Sequence, residues 1–155
     1  MKKTLEFNIA IRAPRSTVWE VMINPKTYQD WTSAFCEGSY FKGSWNQGEK
    51  IQFLSPAGDG ISAVIAENRL YEFISIRHVG EIHAGVEDLS SEKVRSWAPA
   101  FENYTFSSQP EDTEIHVTID VMKEYEEQML EAFPNALQKL KAICERVDNV
   151  QSDDA

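Results

Sequence analysis

Between Lys123 and Val147 an apolar side chain recurs every third or fourth position: Tyr125, Met129, Phe133, Leu137, Leu140, Cys144 and Val147, with Ala136 and Ile143 widening the stripe. That spacing predicts an amphipathic helix, with Glu124, Glu126, Glu127, Glu131, Lys139, Lys141 and Arg146 on its remaining surface. At 1.5 Å per residue it would span roughly 37 Å, long enough to cross a whole small sheet. Pro134 lies inside the stripe, which keeps its phase on either side, so a kink is expected rather than an end. An acidic first half and a basic second half suit the helix dipole. Past Val147 nothing apolar remains to bury, and residues 149–155 read as a disordered tail behind one domain, 1–148.

A helix with one apolar face must lay it on something, and the rest of the chain offers strands. Leu5, Phe7, Ile9 and Ile11 alternate with polar or small residues, the period of a half-buried strand. Ala13-Pro14 then opens a short helix over 16–24, ended at Asn24-Pro25, and Lys26 to Trp31 suits one further turn. The runs 39–45, 49–54, 60–68, 70–79, 101–107 and 114–121 read as strands separated by turn residues. In the last, Ile115, Val117, Ile119 and Val121 face one way while His116, Thr118 and Asp120 face the other, as in an antiparallel sheet with one wet face. The polar stretch from Gly80 to Pro99 reads as a long loop, of the kind that serves as a lid or a binding surface. The expectation is an α+β helix-grip fold: a curved antiparallel sheet of six to seven strands around the C-terminal helix, with two short helices after strand 1.

Composition narrows the partners. Fifteen Lys and Arg against 25 Asp and Glu give a formal charge of −10, which opposes nucleic-acid binding. No stretch approaches a membrane span and no signal peptide is evident, so a cytoplasmic protein without membrane insertion is expected. The two cysteines, Cys36 and Cys144, lie far apart and suit reduced thiols.

Several stretches resemble the START-like (SRPBCC, birch-pollen-allergen-like) superfamily of helix-grip proteins: Ile11-Arg12-Ala13-Pro14 with Val18-Trp19, Asn24-Pro25, and Tyr28-Gln29-Asp30-Trp31. Gly38 to Trp45 with Gly48, Gly58 to Ala63, His78-Val79-Gly80, Glu102 to Phe106 and Ala136 to Lys141 are most similar to the branch named after the activator of heat shock protein 90 ATPase. The resemblance covers about residues 3–147. It implies a hydrophobic cavity between sheet and helix that holds lipids, polyketides or other apolar molecules, and it implies no single reaction, since the fold hosts binders, cyclases and hydrolases.

Strand parity turns His78, Glu102 and Tyr104 toward the covered face. If the two strands pair antiparallel, Tyr104 opposes Ile76 and His78 falls roughly opposite Glu102. A carboxylate there needs a partner, and the imidazole is the available one. Such a pair either closes the sheet, orients a ligand, or handles a proton. Trp31, Phe35, Phe53, Ile76, His78, Glu102, Tyr104, Met129 and Phe133 are the expected walls of a site for a small hydrophobic or amphipathic molecule. A cyclase-, aromatase- or hydrolase-like enzyme using His78 and Glu102 is one alternative. A chaperone-associated module that meets a protein partner through the 80–99 loop is another. Pro56 to Gly60 lacks phosphate-loop spacing, and no metal-ligand pattern or nucleophile elbow occurs, so neither metal nor cofactor is expected.

Overall fold

The structure, a computed structural model, describes residues 2–153, with side chains described through Val147. Strand β1 (Lys2–Ile11) is followed by helices α1 (Arg15–Ile23) and α2 (Pro25–Trp31) and a single 3-10 turn, Thr32–Ala34. Strands β2 (Tyr40–Gly43), β3 (Lys50–Leu54), β4 (Gly60–Arg69), β5 (Phe73–His83) and β6 (Val86–Asp88) come next. A short helix α3 (Glu92–Arg95), strands β7 (Ala100–Ser108) and β8 (Thr113–Met122), and helix α4 (Glu126–Asp153) complete the order.

All strand pairs are antiparallel, in the order β1-β8-β7-β5-β4-β3-β2, with β6 paired to β5 beside that path. The helix-grip expectation holds, with eight strands rather than six or seven. The extra strand comes from the stretch expected to be a loop. β5 runs on to His83, turns at Ala84-Gly85 and returns as β6, and Ser91 caps α3 by accepting from the Val94 N–H.

Alternation works as the sequence predicts. Ile115, Val117, Ile119 and Val121 of β8 are all buried on the face toward α4. The helix answers with Phe133, Ala136, Leu137, Leu140, Ile143 and Cys144. Burial, and then the neighbouring Glu145 charge, push the Cys144 thiol up to about 12, so it behaves as a small apolar filler. Polar contacts fasten the helix to the end of β1: Lys141 Nζ donates to the Ala10 carbonyl at 2.9 Å, and the Arg12 N–H to Glu145 Oε2 at 3.0 Å. Helix α1 adds Val18, Trp19, Val21 and Met22 to the same core. Asn24 ends α1 and caps α2, its side chain accepting from the Lys26 N–H.

The long helix departs from expectation at both ends. Lys123–Tyr125 form a separate 3-10 turn, which leaves Tyr125 exposed instead of in the buried stripe. α4 is drawn to Asp153, and the side chains of the expected tail, 149–155, lie outside the described residues.

Candidate functional site

β5 and β7 carry the polar centre of the covered face. Their register is offset from the expected one: Glu102 is paired with Ile76, His78 with Ala100, and Tyr104 with Ile74. His78 and Glu102 nevertheless meet diagonally, with His78 Nε2 3.1 Å from Glu102 Oε1. The other carboxylate oxygen, Oε2, accepts from the Tyr104 hydroxyl. Both partners of the diagonal pair are largely buried, their side chains 15% and 18% exposed. Burial, followed by the Glu102 charge, raises the Tyr104 phenol well above its usual range, and the same two causes raise Tyr28. Both phenols therefore remain protonated donors at neutral pH.

Two spaces adjoin this centre. The inner one is a void of about 50 Å³, walled by Tyr28, Trp31, Phe35, Trp45, Phe53, Ile76, Glu102 and Tyr104. The rings pack on one another, with Tyr28 5.1 Å from Phe41, and Trp45 5.7 Å from Phe53 between ring centroids. Among the described residues, two buried side-chain polar atoms, the Trp45 indole Nε1 and Asn103 Oδ1, have no hydrogen-bond partner. The outer space is an open cleft of about 480 Å³ between the sheet, α3 and the start of α4. Its apolar lining is Ile61, Ile82, Trp97, Ala100, Ile119, Val121, Met122 and Met129, and its polar lining includes His78, Lys2, Glu81, Lys93 and Tyr125.

Trp97 is held in place by its indole N–H, which donates to Glu81 Oε2 at 2.8 Å. Burial works to raise the Glu81 carboxyl, but hydrogen bonds from Trp97, His83 and Lys93 together hold it below the usual carboxylate range.

The expected walls thus divide. Trp31, Phe35, Phe53, Ile76, Glu102 and Tyr104 surround the inner void, whereas His78 and Met129 line the cleft. Phe133 borders neither: it stacks on Phe7 at 4.9 Å and meets Phe35 edge-on at 5.0 Å, filling the middle of the grip. The roomy cavity expected beneath the helix is accordingly reduced there to the small void, because aromatic side chains occupy the space. Lys93 of α3, Ser96 and Trp97, which help to shape the cleft, came from the stretch read as a loop, as did Glu81, Ile82 and His83. For the first three the signal was the Ser91 cap followed by Val94 and Trp97 at helical spacing.

A groove of about 590 Å³ lies at the far end of β7 and β8, lined by Arg12 to Ser16, Tyr71 and Ser108 to Thr113. It is formed largely by turn segments and shares no residue with the His78–Glu102 pair. Among the described residues no group of three or more His, Cys, Asp or Glu is placed to hold a metal ion, and no helix is long and apolar enough to cross a membrane.

No protein-family model and no curated protein matches the chain. Solved structures do. Protein MLL2253 from Mesorhizobium loti superposes with a TM-score of 0.73 at 12% identity, over 94% of this chain and 99% of that one. The Aha1 dimer from Colwellia psychrerythraea gives 0.71 at 13% identity, over 92% and 96%. CalU16 from Micromonospora echinospora gives 0.63 at 14% identity, over 92% and 74%. With that order of strands and the long helix laid across their apolar face, the chain has an α+β helix-grip fold, shared with these solved structures.

Proposed function

We propose that this protein binds a small hydrophobic or amphipathic molecule in the open cleft between the sheet, α3 and the first turns of α4. The observation that carries this reading is the cleft itself: about 480 Å³, with an apolar floor and a few polar groups at its margins. Ligand sites have this size and composition. Ile61, Ile82, Trp97, Ile119 and Val121 would take the apolar body, and the His78 imidazole, which lines the same cleft, would meet its polar group.

Native mass spectrometry of the purified protein and a thermal-shift panel of fatty acids and fused-ring aromatics test the reading. A true ligand at a hundred times its Kd stabilises the fold by about 2.7 kcal/mol, a shift of several degrees. Absence of any bound species together with no stabilisation across the panel overturns it.

The enzymatic alternative draws on one feature of the same geometry: an imidazole at the cleft wall backed by a carboxylate, the arrangement of a base and the group that orients it. Under that reading Glu102→Gln abolishes turnover and leaves ligand affinity largely intact. A parallel loss of both favours the binder.

A further inference from the structure

We propose that the ligand of this protein is an amphipathic amine, whose primary ammonium group enters the inner void beside Tyr28 and Glu102. This rests on the reading that the cleft binds a small molecule. Tyr28 is only 8% exposed and lines the void. Among the described residues its hydroxyl makes no hydrogen bond, and Glu102 acts on it through charge alone. A hydroxyl buried in that state calls for a partner that enters the void. The Trp45 indole nitrogen supplies nothing here, because its surroundings seal it.

Acceptors around the void outnumber donors. His78 Nε2 and the Tyr104 hydroxyl already direct their hydrogens at Glu102 Oε1 and Oε2. Each carboxylate oxygen keeps a second lone pair, and both lone pairs of the Tyr28 oxygen are unused. Against these stands one uncommitted donor, the Tyr28 O–H. Charge is as lopsided: among the described residues no Lys or Arg lies within ion-pair distance of Glu102, whose only such partner is His78. A ligand carboxylate would set a second negative charge beside Glu102, and an ether or ketone would answer Tyr28 alone. A hydroxyl brings one donor and no charge. A primary ammonium brings three donors and the opposite charge, with N–H groups for Glu102 and for the Tyr28 oxygen, and its bond to the carboxylate is of the stronger, charge-assisted kind.

Size limits the group. At roughly 30 Å³ for a water-sized group, the void of about 50 Å³ takes an ammonium and at most the carbon that bears it, not a trimethylammonium. The body of the ligand must lie in the cleft. His78 lines the cleft and Glu102, 3.1 Å from it, lines the void, so the two spaces meet at this pair. Admission requires the imidazole to swing toward the cleft, and an ammonium N–H takes over the bond given up at Glu102 Oε1. A water held between Tyr28 and Glu102 is the competing occupant.

Four naphthalenes substituted at position 2 separate these cases at pH 8, bearing aminomethyl, hydroxymethyl, ethyl or trimethylammoniomethyl groups. The first three share one shape, and the fourth keeps the charge but exceeds the void. The amine should bind at least about tenfold tighter than the ethyl probe, with the alcohol between them, as a site left with unpaired polar groups rejects the analogue that cannot meet them. The quaternary probe should bind no tighter than the ethyl probe, which separates the void from a general attraction of cations to a chain of charge −10. Tyr28→Phe and Glu102→Gln should each narrow the gap between amine and ethyl probe to within about threefold. The wild-type ranking is decisive even where a variant does not fold. Equal binding of the first three means that the void holds water only and overturns the ammonium assignment while leaving the cleft reading intact. An alcohol or a quaternary probe as tight as the amine does the same. A gap that persists in either folded variant also overturns it. No binding of any probe overturns both readings.

Discussion

His78 and Glu102 are joined 3.1 Å apart across two strands although neither is the other's backbone partner. The diagonal contact leaves Oε2 of the carboxylate free to accept from Tyr104, so one acid satisfies two donors. Removing it strands both. Glu102→Leu is expected to destabilise the fold by about 2–6 kcal/mol, since each of the two orphaned partners costs about 1–3 kcal/mol. Glu102→Gln, which keeps an acceptor, costs less than half as much. Urea denaturation of the two variants checks the ordering, and a Leu variant as stable as the Gln variant would show that the network contributes little.

The Glu81 cluster predicts an acid-sensitive margin to the cleft. Its folded carboxyl lies below the usual value of 4.5, because the hydrogen bonds from Trp97, His83 and Lys93 outweigh burial. A depressed folded pKa means stability that is fully present above the unfolded value and is lost as pH falls through the folded one. Thermal midpoints of wild type and Glu81→Gln should therefore be furthest apart at neutral pH and should converge as pH falls below about 4. Trp97→Phe, which removes one of the hydrogen bonds, should move the wild-type acid limb to higher pH. Parallel curves at every pH would contradict the assignment.

How far the sequence reveals this molecule depends on which residues speak to backbone and which to tertiary contact. Alternation in β8 and the stripe from Met129 to Val147 are period signals, and both elements form with the buried faces expected. The register between β5 and β7 differs from the expected one because it is set by packing across strands and by the connection between them, which neither strand's own pattern records. Leu70 and Tyr71 read as strand yet lie in the turn, where Tyr71 has φ of 63°. Gly80 read as a terminus, but the glycine lies within β5, where a Cβ would press on Leu89 and the Asp88 carbonyl of the returning strand. Glu81 and His83 look like loop polarity in sequence. In the fold Glu81 braces Trp97 and His83, contacts that no local pattern records. The small void could not be read at all, since its volume depends on how Tyr28, Trp45 and Phe53 pack against one another.

Gly60 marks a place where the backbone of one strand leans on the next. It pairs with Leu54 at the start of β4 and borders the cleft. A Cβ there would sit 1.8 Å from the Phe53 carbonyl oxygen, a clash with backbone that no rotamer relieves. Gly60→Ala is expected to cost about 2 kcal/mol or more and to accelerate amide exchange first in β3. Unchanged stability would mean that β3 and β4 part easily at this end.

Phe133 separates core from site. At 1% exposure it is wedged between Phe7 and Phe35 and touches neither the cleft nor the void. Phe133→Ala should lower stability by about 3–5 kcal/mol, through lost burial and the hole left behind. Because the walls of that hole are apolar, it should stay dry and admit benzene or xenon, which would restore part of the loss. Affinity of the folded variant for a cleft ligand should hold within about twofold, since sites without shared partners act additively. Measuring stability and cleft affinity on the same variant divides the two roles. A large fall in affinity with little loss of stability would move Phe133 out of the core and into the binding wall.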